Sequence, residues 1–347
     1  MDTALFDYQL PSDAIAQEPS PAREQSRLLR LDRRSGGAED HRFIELPQLL
    51  RPGDLLVLND TRVLPARLVL RRETGSRIDA LYVRSVEDGR LELLLRGRGR
   101  IRENERLQVE GFEGQALRLL SRRGEGLWLV APEPPIAAET LLARAGRPPL
   151  PPYIERRQTA PDLETSDADR YQTVYAAQPG AIAAPTAGLH FTPQLLDDLR
   201  RHDIATAFLT LHVGLGTFKP VTVERVEDHE MHAERFHIPA ATAEAVARAK
   251  AEGRRVVAVG TTTVRVLESL VRPDGLGDLS GETSIFIYPP FHFRVVDALI
   301  TNFHLPRSTL LMLVAAFAGR ELILHAYRDA LARGYRFYSY GDACLIE

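Results

Sequence analysis

The chain has 347 residues and one cysteine, Cys344. A lone thiol cannot close an internal disulfide, which fits a reducing compartment, so a cytoplasmic location is expected. Beside the C-terminus it reads as a small buried apolar residue. Lysine is scarce too: Lys219 and Lys250 are the only two, and almost all of the 44 basic residues are arginine. No apolar run approaches the roughly 18 residues of a membrane span. The start, Met1 to Asp7, lacks the basic and hydrophobic regions of an export signal, so neither membrane association nor secretion is expected. A net charge of −3 argues against a general nucleic-acid coat, although residues 66–128 carry 14 Arg against 10 Asp plus Glu. That surplus fits a solvated β surface and a phosphate-binding one about equally well.

At this length, with 44% hydrophobic and 26% charged residues, a two-domain globular protein is expected. Five short apolar runs stop in clusters of Asn, Asp, Thr, His and Gly. Leu55–Leu58 runs into Asn59-Asp-Thr-Arg62, Ala181–Ala184 into Pro185-Thr-Ala-Gly-Leu-His-Phe-Thr192, and Phe208–Leu211 into His212-Val-Gly-Leu-Gly-Thr217. Val256–Val259 leads to Gly260-Thr-Thr-Thr263, and Val295–Ile300 to Thr301-Asn-Phe-His304. Such runs read as buried strands, and open α/β sheets assemble ligand sites just past strand ends. Five boundaries of this kind predict an enzyme site built from many loops.

The fold class expected is α/β: a larger mixed α/β domain, residues 1–65 and 153–347, with an inserted small antiparallel β-barrel domain over 66–152. Short alternating runs at eight- to twelve-residue spacing between 66 and 130 predict the barrel, and the proline-dense stretch from Pro132 to Pro152 its exit. Beyond 153, strands alternate with helices. Thr192 and Pro193 open one helix as N-cap and first residue, Thr262–Leu270 is a second, and Ser308 caps a third. A fourth helix stops at Gly334, and Tyr335–Tyr340 is expected to complete the main sheet.

The polar clusters supply the candidate residues. Asp60 has the chemistry of a general base or a ribose-hydroxyl acceptor, with Arg62 suited to a carboxylate or phosphate; a turn in which Asp60 caps backbone N–H groups and pairs with Arg62 explains both slightly more simply. His190 sits before a helix start, where free N–H groups bind anions and lower an imidazole's pKa. The Gly214-x-Gly216 pair lacks the third glycine of a dinucleotide loop, and Thr261, Thr262 and Thr263 lack the lysine of a P-loop. Both remain reasonable close approaches to a ligand. His229, His232 and His237 look like a metal cluster, but zincin ligands lie four apart on a helix, not three. No metal is expected; polar contacts from His232 and Glu234 to substrate are. Asn302 and His304 have the groups to read a base edge or hold an amino acid.

Taken in order, Leu58-Asn-Asp-Thr-Arg-Val63, Ala184-Pro-Thr-Ala-Gly-Leu-His-Phe-Thr192, His212-Val-Gly-Leu-Gly-Thr-Phe218 and Met231-His-Ala-Glu234 form a recognisable series. Val259-Gly-Thr-Thr-Thr-Val-Arg265, Ile300-Thr-Asn-Phe-His-Leu-Pro306 and Tyr340-Gly-Asp-Ala343 continue it. The series resembles the S-adenosylmethionine:tRNA ribosyltransferase-isomerases of bacterial queuosine biosynthesis. The resemblance runs from Phe6 to the C-terminus and is weakest over the β-rich insert. It departs at Cys344, where methionine is usual, and at Pro289-Pro-Phe-His292, where a glycine is.

That resemblance implies transfer and isomerisation of the ribosyl part of S-adenosylmethionine onto 7-aminomethyl-7-deazaguanine at the tRNA wobble position. Epoxyqueuosine-tRNA, adenine and methionine result. It implies no cofactor, S-adenosylmethionine being consumed as ribosyl donor, and as partners only that donor and precursor-bearing tRNA; a monomer is expected. The catalytic candidates are His190 or His212 as base, with Asp60 orienting it or a sugar hydroxyl. The expected substrate contacts are Asn59, Arg62, Thr186, Gly188, Thr217, His232, Glu234, Thr261, Thr262, Thr263, Arg265, Asn302, His304 and Asp342.

Overall fold

Four of the five apolar runs become parallel neighbours in one sheet. The structure, a computed structural model, describes residues 1–347 apart from 125, 157–160, 215–220, 273–274 and 277–278. It divides into two compact units, Met1–Arg62 with Pro152–Glu155 and Gln172–Glu347, and Val63–Pro151 with Arg156–Tyr171. The segment Arg156–Tyr171, expected in the larger domain, clusters with the smaller. Within it Asp167 is buried and takes a two-pronged bond from Arg156, Nε to Oδ2 at 2.7 Å and Nη2 to Oδ1 at 2.9 Å.

The larger unit holds a nine-stranded mixed sheet. Its order is Ser280–Thr283, Glu234–His237, Ala205–Leu211, Leu55–Asn59, Val256–Val259, Ala298–Asn302, Ala343–Ile346, Arg27–Leu31 and Ala38–Arg42. Ala205–Leu211, Leu55–Asn59, Val256–Val259 and Ala298–Asn302 run parallel, and their neighbours on either side are antiparallel to them. Parallel strands are buried on both faces, hence the unbroken apolar runs. Along Leu55–Leu58 the side chains alternate between two cores. Leu55 and Val57 join the cluster under the helices Ala240–Ala251, Thr261–Ser269, Thr309–Ala318 and Arg320–Ala332. Leu56 and Leu58 join the one with Phe191, Leu195 and Leu199.

Helix starts follow their local signals. The Thr192 hydroxyl accepts from the Leu195 N–H with Pro193 in the first turn, and the Ser308 hydroxyl accepts from that of Leu311. Tyr335–Tyr340 is not a strand. Tyr338 has φ +76°, and Phe337 stacks on Phe303 at 4.7 Å, so these rings fill a core while Ala343–Ile346 enters the sheet. Among the described residues no single helix is long and apolar enough to cross a membrane.

The smaller unit contains a closed antiparallel barrel in the order Leu127–Glu133, Leu91–Gly97, Arg77–Ser85, Arg67–Arg71, Arg106–Val109, Ala116–Gly124. Ile78, Ala80 and Tyr82 are buried at every second position of one strand, the alternation that fills a small barrel's interior.

Candidate active site

The C-terminal ends of three of the four parallel strands, Ala205–Leu211, Val256–Val259 and Ala298–Asn302, open within the larger unit onto a cleft. It lies just past strand ends, where α/β sheets bind ligands. Its polar lining comes from Thr186, Thr261, Thr262, Thr301, Asn302 and His304, and Val213, Leu310, Tyr153 and Tyr338 supply apolar surface. Five expected contacts, Thr186, Thr261, Thr262, Asn302 and His304, therefore share one cavity. Tyr153, Thr301, Tyr338 and Ser339 also line it and are not among the expected contacts.

Behind the lining, Asn302 heads a buried chain of hydrogen bonds. The Thr186 hydroxyl donates to Asn302 Oδ1 at 2.8 Å, and the amide Nδ2 donates to His190 Nε2 at 3.3 Å. His190 Nδ1 then gives its proton to the Ser26 hydroxyl at 2.7 Å, and that hydroxyl donates to the Arg23 carbonyl at 3.2 Å. These partners assign the Nδ1–H tautomer. The ring stacks on Phe43 at 5.0 Å and is 5% exposed. Its pKa falls to about 3, driven by burial and then by Arg336 and Arg23. The neutral imidazole expected from the sequence is present, but burial causes it rather than a helix end. Its basic nitrogen already has a donor, so His190 is built to fix the amide of Asn302.

His304 is buried in the same way, with Nε2 2.8 Å from the Thr301 hydroxyl and a pKa pushed by burial to about 3. Two such histidines give a signed prediction. Each binds a proton more readily unfolded than folded, so stability is lost as pH falls below about 6.5 towards 3. Urea melts at pH 7 and pH 5 should show the loss, and His190→Gln, which still accepts from Asn302, should make it shallower.

A second cluster gathers at the ends of Leu55–Asn59 and Ala205–Leu211. The Thr210 hydroxyl donates to Asp60 Oδ1 at 2.6 Å, and burial raises the Asp60 pKa against that bond. His212 Nδ1 lies 2.9 Å from the Thr61 hydroxyl, which donates onward to the Gln178 carbonyl at 3.5 Å. The hydroxyl therefore accepts from Nδ1–H, and Nε2 carries a bare lone pair with no protein partner among the described residues. Burial, helped by Arg235 and opposed by Asp60, lowers the His212 pKa, so the ring is neutral at pH 7. Gly180, φ +151°, packs on this ring, and a Cβ there would sit 2.7 Å from it.

Other expected contacts hold the scaffold. Asn59 Oδ1 accepts from the N–H groups of Leu211 and Thr61, both at 3.1 Å, and its Nδ2 donates to the Leu211 carbonyl at 3.0 Å. Thr263 donates to the Val259 carbonyl at 2.7 Å. Asp342 accepts from the N–H groups of Arg27 and Arg336 at 2.9 and 2.8 Å. Arg265 and Glu234 form a buried ion pair, and Glu234 Oε1 also takes the Gly214 N–H at 2.8 Å. Arg62 is exposed and donates to the Ala176 carbonyl at 3.0 Å. His232 is exposed and does not line the cleft. Thr217 lies outside the described residues. Among the described residues no three metal-ligating side chains come together.

Gly188 is required by packing. A Cβ there would meet the Tyr175 hydroxyl oxygen at 2.0 Å, and that oxygen is buried without a hydrogen-bond partner among the described residues. Gly188→Ala should cost about 1–3 kcal/mol in urea unfolding. Tyr175→Phe should be nearly neutral alone and should recover much of that cost in the double variant.

A family described as queuosine biosynthesis protein matches residues 3–346. The S-adenosylmethionine:tRNA ribosyltransferase-isomerase of Geobacter metallireducens is 51% identical over 345 residues, covering 99% of this chain and 98% of that protein. The same enzyme of Heliobacterium modesticaldum is 49% identical over 350 residues, with 100% of both covered. The crystal structure of S-adenosylmethionine tRNA ribosyltransferase from Thermotoga maritima aligns with a TM-score of 0.56 at 37% identity, covering 99% of this chain and 100% of that one. The motifs around the cleft and the match along the chain lead to one assignment: this chain belongs to the queuosine biosynthesis protein family.

Proposed function

We propose that the chain transfers and isomerises the ribosyl moiety of S-adenosylmethionine onto 7-aminomethyl-7-deazaguanine at the tRNA wobble position, yielding epoxyqueuosine-tRNA, adenine and methionine. The observation that carries this reading is the convergence of Thr186, Thr261, Thr262, Asn302 and His304 on one cleft at the ends of parallel strands. The cleft's mix of hydroxyl, amide and apolar surface suits a sulfonium nucleoside.

The sulfonium acidifies the ribose methylene bonded to it, and His212 Nε2 takes that proton. Thr61 holds the imidazole in the required tautomer, and Asp60 stabilises the imidazolium that forms. The electron pair left behind expels the ring oxygen, which collapses at the anomeric carbon to release adenine, now protonated, and leaves an aldehyde and a vinyl sulfonium. The aminomethyl nitrogen of the tRNA base adds to the vinyl sulfonium and gives up a proton; the carbanion so formed beside sulfur bonds to the aldehyde carbon, and the alkoxide closes the epoxide as methionine departs with its sulfur. Asn302, oriented by His190, presents an amide of fixed polarity to the bound nucleoside. Tyr338, Leu310 and Val213 exclude water from the intermediates.

In the same reading S-adenosylmethionine is consumed and no resident cofactor takes part. The chain works as a cytoplasmic monomer, and its barrel is a domain inserted into the α/β unit. The test is incubation with S-adenosylmethionine and precursor-bearing tRNA, followed by nucleoside mass spectrometry. Epoxyqueuosine with one adenine per transfer is the expected result; neither product from intact precursor tRNA overturns the reading.

A further inference from the structure

The arginines of the smaller unit fall into two classes. Most are neutralised: Arg71 by Glu110 at 2.6 Å, Arg84 by Glu92 at 2.7 Å, Arg118 by Glu133 at 2.5 Å. Apart from Arg144, which lies over the Phe112 ring 5.0 Å from its centroid, six have no acidic partner among the described residues: Arg96, Arg98, Arg100, Arg102, Arg122 and Arg123, all exposed. The first four recur at every second residue of Arg96-Gly-Arg-Gly-Arg-Ile-Arg102.

The strand register brings all six to one end of the barrel. Leu91–Gly97 runs antiparallel to Leu127–Glu133, which pairs antiparallel with Ala116–Gly124, and Leu127 lies opposite both Leu94 and Gly124. The end of the first strand and the Arg122–Leu127 hairpin are thus adjacent. Glu73 and Glu103 are the exposed acids at that end, and Glu125 lies outside the described residues.

The loop is fastened from beneath. Arg72 donates to the carbonyls of Arg98 and Arg100 at 2.9 and 3.0 Å, and pairs through Nε with Glu105 at 2.6 Å. Glu105 accepts the Arg102 N–H at 3.1 Å, and the Asn104 N–H donates to the Leu119 carbonyl at 2.7 Å. Like charges repel, yet this backbone is tied so that several guanidinium groups face solvent together. Such an arrangement fits a polyanion, whose phosphates guanidinium groups grip in planar, two-pronged fashion. The overall charge of −3 limits that attraction to this surface.

We propose that the Arg96–Arg102 loop and the Arg122–Arg123 hairpin form a docking platform for the sugar–phosphate backbone of the tRNA substrate. This rests on the reading of tRNA as substrate and adds where its backbone is held. The platform contacts phosphates and reads no sequence.

The test is tRNA affinity by fluorescence anisotropy from 50 to 300 mM salt, using the full chain. The quadruple variant Arg96→Ala/Arg98→Ala/Arg100→Ala/Arg102→Ala should bind at least about tenfold more weakly at low salt. Its plot of log affinity against log salt should be shallower by roughly 0.7–0.9 per phosphate contact removed. Arg90→Glu, a charge reversal at the opposite end of the barrel, should change affinity less than about twofold. The Km for S-adenosylmethionine and kcat at saturating tRNA should stay at wild-type values. Unchanged affinity and slope in the quadruple variant, or an equal loss in Arg90→Glu, overturns the platform. Binding that follows the prediction while wild-type enzyme yields no epoxyqueuosine would leave the platform standing and sink the proposed reaction.

Discussion

His212→Ala should lower the single-turnover rate of adenine release by about two to four orders of magnitude, the usual worth of a positioned general base. Affinity for S-adenosylmethionine should change far less, because the lost group acts in the transition state. The choice of His212 over His190 rests on which nitrogen is free. His190 Nε2 already accepts from Asn302 behind the cleft lining, whereas His212 Nε2 has no protein partner among the described residues. The pH profile follows from the same geometry. Burial lowers the His212 pKa, so the acid limb of the rate should have its midpoint below 6.5, with a plateau through pH 7. His190→Gln should keep most of the rate, since glutamine still accepts from the Asn302 amide. A His212→Ala enzyme within threefold of wild type, or a His190→Gln enzyme as slow as His212→Ala is expected to be, would remove His212 as the base.

What the sequence revealed, and what it hid, divides by the distance over which each contact acts. The strands Leu55–Asn59 and Val256–Val259, and the caps Thr192 and Ser308, were legible because a short unbroken apolar run or a hydroxyl before a helix acts on its own neighbours. The strand-end clusters were legible for a related reason: polar groups close to buried runs must meet either a ligand or another strand. Which of the two they meet is not local. Asn59 and Asn302 both end parallel strands, yet the first spends its amide on Leu211, 152 residues away, and the second lines the cleft. Ser26, which receives the His190 proton, lies 164 residues from it and carries no motif. Gly180 gave no signal either, since its need for a missing Cβ arises only when His212 packs on it. The error at Tyr335–Tyr340 has the same origin. An aromatic run reads as a strand, but its rings are drawn into a cluster with Phe303 and Tyr327 built from other segments.

The second large effect is structural and concerns a pair expected to touch substrate. Arg265 and Glu234 are 4% and 5% exposed, and they join the helix Thr261–Ser269 to the strand Glu234–His237. Arg265 also points Nε at the Ile285 carbonyl, 3.3 Å away, while Glu234 Oε1 holds the Gly214 N–H just past His212. Removing one partner strands a charge in a site that water cannot reach, and the attraction that offset its desolvation is lost. Arg265→Met should therefore destabilise the fold by about 3–5 kcal/mol, read as a melting-temperature drop on the order of 10 °C. Arg265→Met with Glu234→Gln should recover a substantial part of that loss, because neither member of the new pair is ionised. It should not recover the adenine-release rate, because a neutral amide holds the Gly214 N–H less firmly than a carboxylate and the backbone beside His212 loosens. A single variant that melts within 2 °C of wild type would show that the pair is not what ties this helix to this strand.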